Sequence, residues 1–199
     1  MPGLSKIILE KYYVENKYTV SKIAGMLACS EHKVNYWLYK YGIPKRSISE
    51  AIYTLRNPEG DPFTVSTITS NNQSFLYGLG LGLYWGEGTK ANKLSVRLGN
   101  SDPKLIRAFI VFLKQCYKIK ESKLKYGLQV FKIDSVQEAI HFWLKSLPAK
   151  REQFHKVTVT PTRGKGTYRR KMPHGVLTVY FHNKKLRDII CKTIENMQY

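Results

Sequence analysis

Residues 75–90 read FLYGLGLGLYWGEGTK, an apolar run with five glycines, at 78, 80, 82, 86 and 88, and a single acid, Glu87. Each glycine inside a helix costs roughly 1 kcal/mol against alanine, so the run needs a reason. A dinucleotide-binding turn requires a third glycine where Trp85 stands. A phosphate loop needs Gly-Lys-Ser/Thr, which is missing, and the run is about half the length of a membrane span. Close packing remains. Gly78, Gly82 and Gly86 are spaced by four and share one helix face. A face stripped of side chains lets a second helix approach backbone to backbone. Glu87 then sits at the helix C-terminus, where the dipole disfavours an anion. If two such helices pack symmetrically, two carboxylates meet, and a bound Mg²⁺ relieves their repulsion.

Working outward, KLSVRLGN alternates as a half-buried strand, with Leu94, Val96 and Leu98 inward and Ser95 and Arg97 outward. Asp102-Pro103 starts a helix whose stripe is Leu105, Ile106, Phe109, Phe112, Leu113 and Cys116. KLKYGLQVF reads as a strand, and Asp134 with Gln137 as a capping box for a helix to Leu147. Strands VTVTP and GVLTVYF follow, with Val157, Val159, Leu177, Val179 and Phe181 inward, and Asn183 caps a last helix. The order predicts an α+β unit with antiparallel pairing. Upstream, residues 58–72 are rich in Pro, Gly, Ser, Thr and Asn and read as a linker. The expected organisation is therefore residues 1–57, a linker at 58–72, and a second domain at 73–199.

The first 57 residues carry short helical signals: Leu4, Ile7, Ile8 and Tyr12 at helical spacing, then helices capped by Thr19 and Ser30, then a further helix at 48–57. Val20–Trp37 fits a helix-turn-helix, with Ala24 at the crossing, Leu27 and Cys29 beside the turn, and Ala28 where a glycine is common. His32, Lys33, Asn35, Tyr36 and Tyr39 then face a major groove, and Lys33, Lys40, Lys45 and Arg46 crowd one end. The plainer alternative is a helical scaffold or a protein-binding module.

Charge points the same way. The 199 residues carry 33 Lys and Arg against 14 Asp and Glu, a net +19, so a polyanionic partner is expected, with double-stranded DNA first. No apolar run spans a bilayer, and the start MPGLSKIILEKYY lacks signal-peptide architecture, which predicts an intracellular protein of the cytoplasm or nucleoid. Three cysteines in no metal-binding spacing read as reduced thiols. Strand alternation puts Ser95, Arg97, Lys156, Thr158, Thr160, Thr178, Tyr180 and His182 on one face, suited to reading a groove. The loop PTRGKGTYRRKMPHG adds Arg163, Lys165, Arg169, Arg170 and Lys171 as a phosphate-contacting arm. Histidines 155, 174 and 182 show no metal-ligand spacing and read as surface or DNA-facing groups.

Residues 80–88, GLGLYWGEG, resemble the LAGLIDADG motif of homing endonucleases: Gly82, Leu83 and Gly88 agree, and Glu87 holds the final acidic position. Tyr84, Trp85 and Gly86 depart from it. With the strand and helix that follow, the resemblance covers about residues 73–197. It implies an αββαββα saddle with an antiparallel sheet over DNA, and motif helices at a dimer core. Each helix would contribute one acid to a Mg²⁺-dependent cut. One motif per chain implies a homodimer. Glu87 is then the catalytic metal ligand, with Lys90 or Arg97 as the assisting cation. The helix ending near Leu147 looks like an insertion. A site-specific endonuclease is thus the first functional expectation. A non-cleaving transcriptional regulator with a degenerate domain of this kind is the second, and an RNA-binding splicing factor the third.

Overall fold

The computed structural model describes residues 3–131, 136–160 and 173–197. The chain divides into two compact units, Met1–Pro62 and Phe63–Tyr199.

In the first unit, α1 (Lys6–Leu9) runs into a π-helical turn (Glu10–Glu15), followed by α2 (Val20–Met26), α3 (Glu31–Lys40) and α4 (Ile48–Arg56). Leu9, Tyr13, Ile23, Ala24, Val34, Leu38 and Ile43 form its core. Of the residues expected at helical spacing, Leu4 and Tyr12 pack against that core, whereas Ile7 and Ile8 are exposed. Leu9 and Tyr13, four apart, supply the inward face instead, because Tyr13 is drawn in by Arg46. The Arg46 N–H donates to the Tyr13 hydroxyl at 2.9 Å, and the guanidinium lies 4.1 Å from the ring centre.

The second unit has mixed α+β architecture. In order it comprises α5 (Asn71–Glu87), β1 (Val96–Asn100), α6 (Pro103–Cys116), β2 (Leu124–Val130), α7 (Val136–Ser146), β3 (Thr158–Val159), β4 (Val176–Phe181) and α8 (Lys184–Glu195). The four strands run in the order β1-β4-β2-β3. β4 pairs antiparallel with both β1 and β2, but β2 and β3 are parallel, which corrects the expectation of a wholly antiparallel sheet. The cause is the chain path: α7 lies between β2 and β3, and a helical crossover returns the chain in the same direction. Leu98, Leu124, Tyr126, Leu128, Leu177, Val179 and Phe181 are buried against Phe109, Phe112, Leu113, Trp143 and Ile190 of the helices. Helices thus cover one face of the sheet.

Two further expectations shift. Leu94 is 68% exposed rather than inward, because the Asn92 side-chain oxygen accepts from the Leu94 N–H at 3.0 Å and holds the chain in a turn before the strand. Val159 is exposed rather than inward, since the two-residue β3 sits at the sheet's edge, while Val157 packs against the core. Residues 63–66, read as linker, join the second unit. Phe63 is buried in its core, and Thr64 and Ser66 donate main-chain bonds to the Tyr117 and Cys116 carbonyls at 2.9 and 2.8 Å. They satisfy carbonyls left open at the end of α6.

Candidate nucleic-acid interface

Two surfaces of the chain present polar, basic and aromatic groups in ordered arrays. The first is α3. The Thr19 and Ser30 side chains accept from the Lys22 and Lys33 N–H groups, capping α2 and α3 as expected. Between these helices Ala28 has φ +46°, with its N–H bonded to the Gly25 carbonyl and that of Cys29 to the Ala24 carbonyl. This is the left-handed closure of a helix that glycine normally fills. Val34 and Leu38 seat α3, with Trp37 half-buried beside them. His32, Tyr36 and Tyr39 are exposed, Tyr39 to 85%, and Lys33 and Asn35 are half-exposed. Lys40 lies over Trp37 at 4.6 Å and Tyr36 at 5.9 Å. Arg46 does not belong to this basic group. Its guanidinium donates to the Lys17, Tyr13 and Tyr18 carbonyls at 2.9, 3.1 and 2.6 Å, so it fastens the end of the π-helical turn.

The second surface lies at the end of α5 and on the uncovered sheet face. The Ser70 side chain caps α5, and the helix ends on the exposed Glu87. A β-carbon added at Gly78, Gly82 or Gly86 would meet nothing within 4 Å, so these three glycines leave one face of α5 open. Phe75 and Trp85, 72% and 48% exposed, extend the apolar character of the helix surface. Gly80 serves a different purpose. A β-carbon there would lie 2.0 Å from the Phe112 ring, so α5 and α6 approach closely at that point. The chain leaving α5 lies along β1, with Gly88 bridged to Leu98 and the Thr89 N–H bonded to the Arg97 carbonyl at 2.9 Å. Lys90 Nζ donates to the Trp85 carbonyl, and the Lys90 carbonyl accepts from Arg187 at 2.7 Å. Beneath this turn Tyr84 is fully buried, and desolvation pushes its phenol up to about 12.

On the sheet, Arg97, Tyr180 and Lys125 form one cross-strand row, and Gly99, Thr178 and Gly127 the next. The two glycines let the β4 side chains lie low. A β-carbon at Gly99 would be 2.9 Å from Thr178 Oγ1, and one at Gly127 would be 2.9 Å from the Tyr180 ring. Arg97 Nε donates to Ser95 Oγ at 2.7 Å, and its guanidinium carbon is 5.2 Å from the Tyr180 ring centre. His182 stacks parallel to Tyr180, and His155 stands edge-on to both. Lys156 and Thr158 are exposed at the β3 side, where Gln129 donates to Thr160 Oγ1 at 2.9 Å.

Ser95 corrects the expectation for this face. It is fully buried, its hydroxyl donating to Asn92 and accepting from Arg97, so it orients the arginine and touches no partner. Arg163, Lys165, Arg169, Arg170 and Lys171, expected as a phosphate-contacting arm, lie outside the described residues. Lys125, Gly127 and Gln129 join the face without having been expected there. Alternation in KLKYGLQVF, with Leu124, Tyr126, Leu128 and Val130 inward, is the signal that finds them.

Among the described residues no three His, Cys, Asp or Glu side chains cluster to hold a metal. No helix among them is long and apolar enough to cross a membrane. Cys116 and Cys191 are buried and Cys29 is half-buried, all three free. Comparison of the chain with known protein families, curated proteins and solved structures gives no match.

Proposed function

We propose that this chain is a double-stranded DNA-binding protein of the LAGLIDADG type. In this reading it dimerises through α5 and cleaves DNA at a Mg²⁺ site to which each protomer brings Glu87. The observation that carries the reading is the open glycine face of α5, at Gly78, Gly82 and Gly86, ending on an exposed carboxylate beside a basic sheet face. A helix bare on one side is suited to a twin, and a two-fold axis there would bring two Glu87 side chains together. The donor chemistry fits the ion: carboxylate oxygens are what Mg²⁺ takes from protein, with water filling the remaining positions. One chain holds half the carboxylate set, so the site is complete only in the pair. When bound, the ion supplies an activated water and neutralises charge developing on the phosphate.

In this scheme the chain's own groups divide the remaining work. Gly88 and Thr89, tied to β1, fix where Glu87 emerges. Arg97, oriented by Ser95 and Tyr180, faces the phosphate backbone. The rows Arg97–Tyr180–Lys125 and Gly99–Thr178–Gly127 form the saddle surface that meets the duplex, and in the first unit α3 of a helix-turn-helix reads a major groove through His32, Lys33, Asn35, Tyr36 and Tyr39.

One observation favours a second reading, a DNA-binding regulator that does not cut. Both candidate assisting cations are already engaged, Lys90 with the Trp85 carbonyl and Arg97 with Ser95. The two readings part on one experiment. The protein is incubated with a randomised DNA library in Mg²⁺ and in chelator, beside Glu87→Gln. Cleavage that needs Mg²⁺ and is lost in the variant is the expected result. Tight binding with no cleavage in any divalent metal leaves the regulator.

A further inference from the structure

At one end of the open sheet face, titratable and cationic groups from separate segments converge. β4 contributes Tyr180 and, just beyond its end, His182, whose rings are parallel within 15° and 5.7 Å apart. His155, just after the 3₁₀ turn Arg151–Gln153, stands 5.7 Å from Tyr180 and 6.2 Å from His182. Its N–H donates to the Tyr126 carbonyl at 2.8 Å, so β2 fixes its position. β1 brings Arg97, and β2 brings Lys125 directly opposite Tyr180.

Among the described residues, acids take no part in this cluster. Glu152 offers Lys125 its main-chain carbonyl, and on α8 Asp188 is engaged by Lys184 and Arg187. Partial burial, then Arg97, His155 and Lys125, lowers the His182 pKa below its ordinary value. Two imidazoles are therefore held close together beside fixed cations, and the surroundings of His182 favour its neutral ring until an anion arrives.

We propose that His155 and His182 form a proton-linked phosphate site: a phosphodiester group of bound nucleic acid seats against the pair and draws a proton onto it from solvent. This rests on the reading that the sheet face binds nucleic acid. The sign follows from linkage. Partial burial and the neighbouring cations favour the neutral ring of His182 in the free protein, and the phosphate offsets that bias. Protons are therefore taken up on binding, and affinity rises as pH falls. Each linked proton steepens affinity by at most about tenfold per pH unit.

The test is calorimetric titration of the full chain with a short mixed-sequence DNA duplex near the ordinary histidine pKa. Two buffers of different ionisation heat are used, with chelator present. Net proton uptake by the wild type is expected, lost in the double variant His155→Asn, His182→Asn and kept in His141→Asn, on the exposed side of α7. Binding without uptake, or uptake that survives in the double variant, overturns the proposal while leaving DNA binding intact. No binding to any duplex overturns both. NMR titration of the imidazole carbons in the wild type gives the same answer without substitution: a His182 pKa unchanged by DNA overturns it.

Discussion

Single residues in this chain carry costs that can be measured. Ala28 closes α2 at φ +46°, a conformation that costs an L-residue roughly 1–2 kcal/mol. Glycine there removes that cost but adds about 0.4–1 kcal/mol of unfolded-chain entropy. Ala28→Gly should therefore stabilise the first unit by about 0.5–1 kcal/mol, read as a rise of a few degrees in its thermal midpoint. A fall in midpoint contradicts the left-handed assignment. The α5 glycines make a sharper pair. Gly80→Ala drives a methyl into Phe112 and should cost about 1–3 kcal/mol. Within one chain Gly82→Ala meets nothing, so at concentrations where the protein is monomeric it should gain up to about 1 kcal/mol of helix propensity. Chemical denaturation of both variants decides this, and equal effects would mean the two positions are not distinguished by packing.

At the scale of elements, the open face of α5 makes a claim about assembly. Gly82→Leu fills that face without touching the core, so the variant should stay folded and become monomeric by light scattering. A variant that remains dimeric sinks the helix-pairing argument. Elements also show what could be read in advance. Helix starts were legible because caps are local chemistry: Thr19, Ser30, Asp102 and Asn183 each accept from a main-chain N–H in the first turn. The inward stripe of α6 was legible for the same local reason, since Ile106, Phe109, Phe112, Leu113 and Cys116 recur at helical spacing and are all buried. Strand ends were not. The alternation in KLSVRLGN runs back to Leu94, but the turn made by Asn92 overrides it and buries Ser95. The parallel direction of β3 depends on where a crossover lands, which no pattern inside VTVTP encodes. Nor does spacing distinguish Gly80 from its neighbours, because the ring it meets lies on another helix.

Over the whole chain, the division into two units follows composition only approximately. A stretch rich in Pro, Ser and Thr masks Phe63, whose burial belongs to the second core. Charge is the global quantity that a partner would feel. With net charge +19, DNA binding should be strongly salt-dependent. Six phosphate contacts would weaken affinity by about a thousandfold between 50 and 200 mM salt. Fluorescence anisotropy across that range measures the slope, and a flat response would remove the electrostatic basis of the proposed function.

The sheet's two margins have a consequence for behaviour in concentrated solution. Along β1, the chain leaving α5 already occupies main-chain positions, through the Gly88–Leu98 bridge and the Thr89 bond to Arg97. At the opposite margin, β3 is a strand of only two residues. Long unpaired strands are the templates on which folded proteins recruit further copies of themselves into open-ended stacks. Here one margin is occupied and the other is short. Recruitment of further copies edge to edge into open-ended stacks is thereby disfavoured.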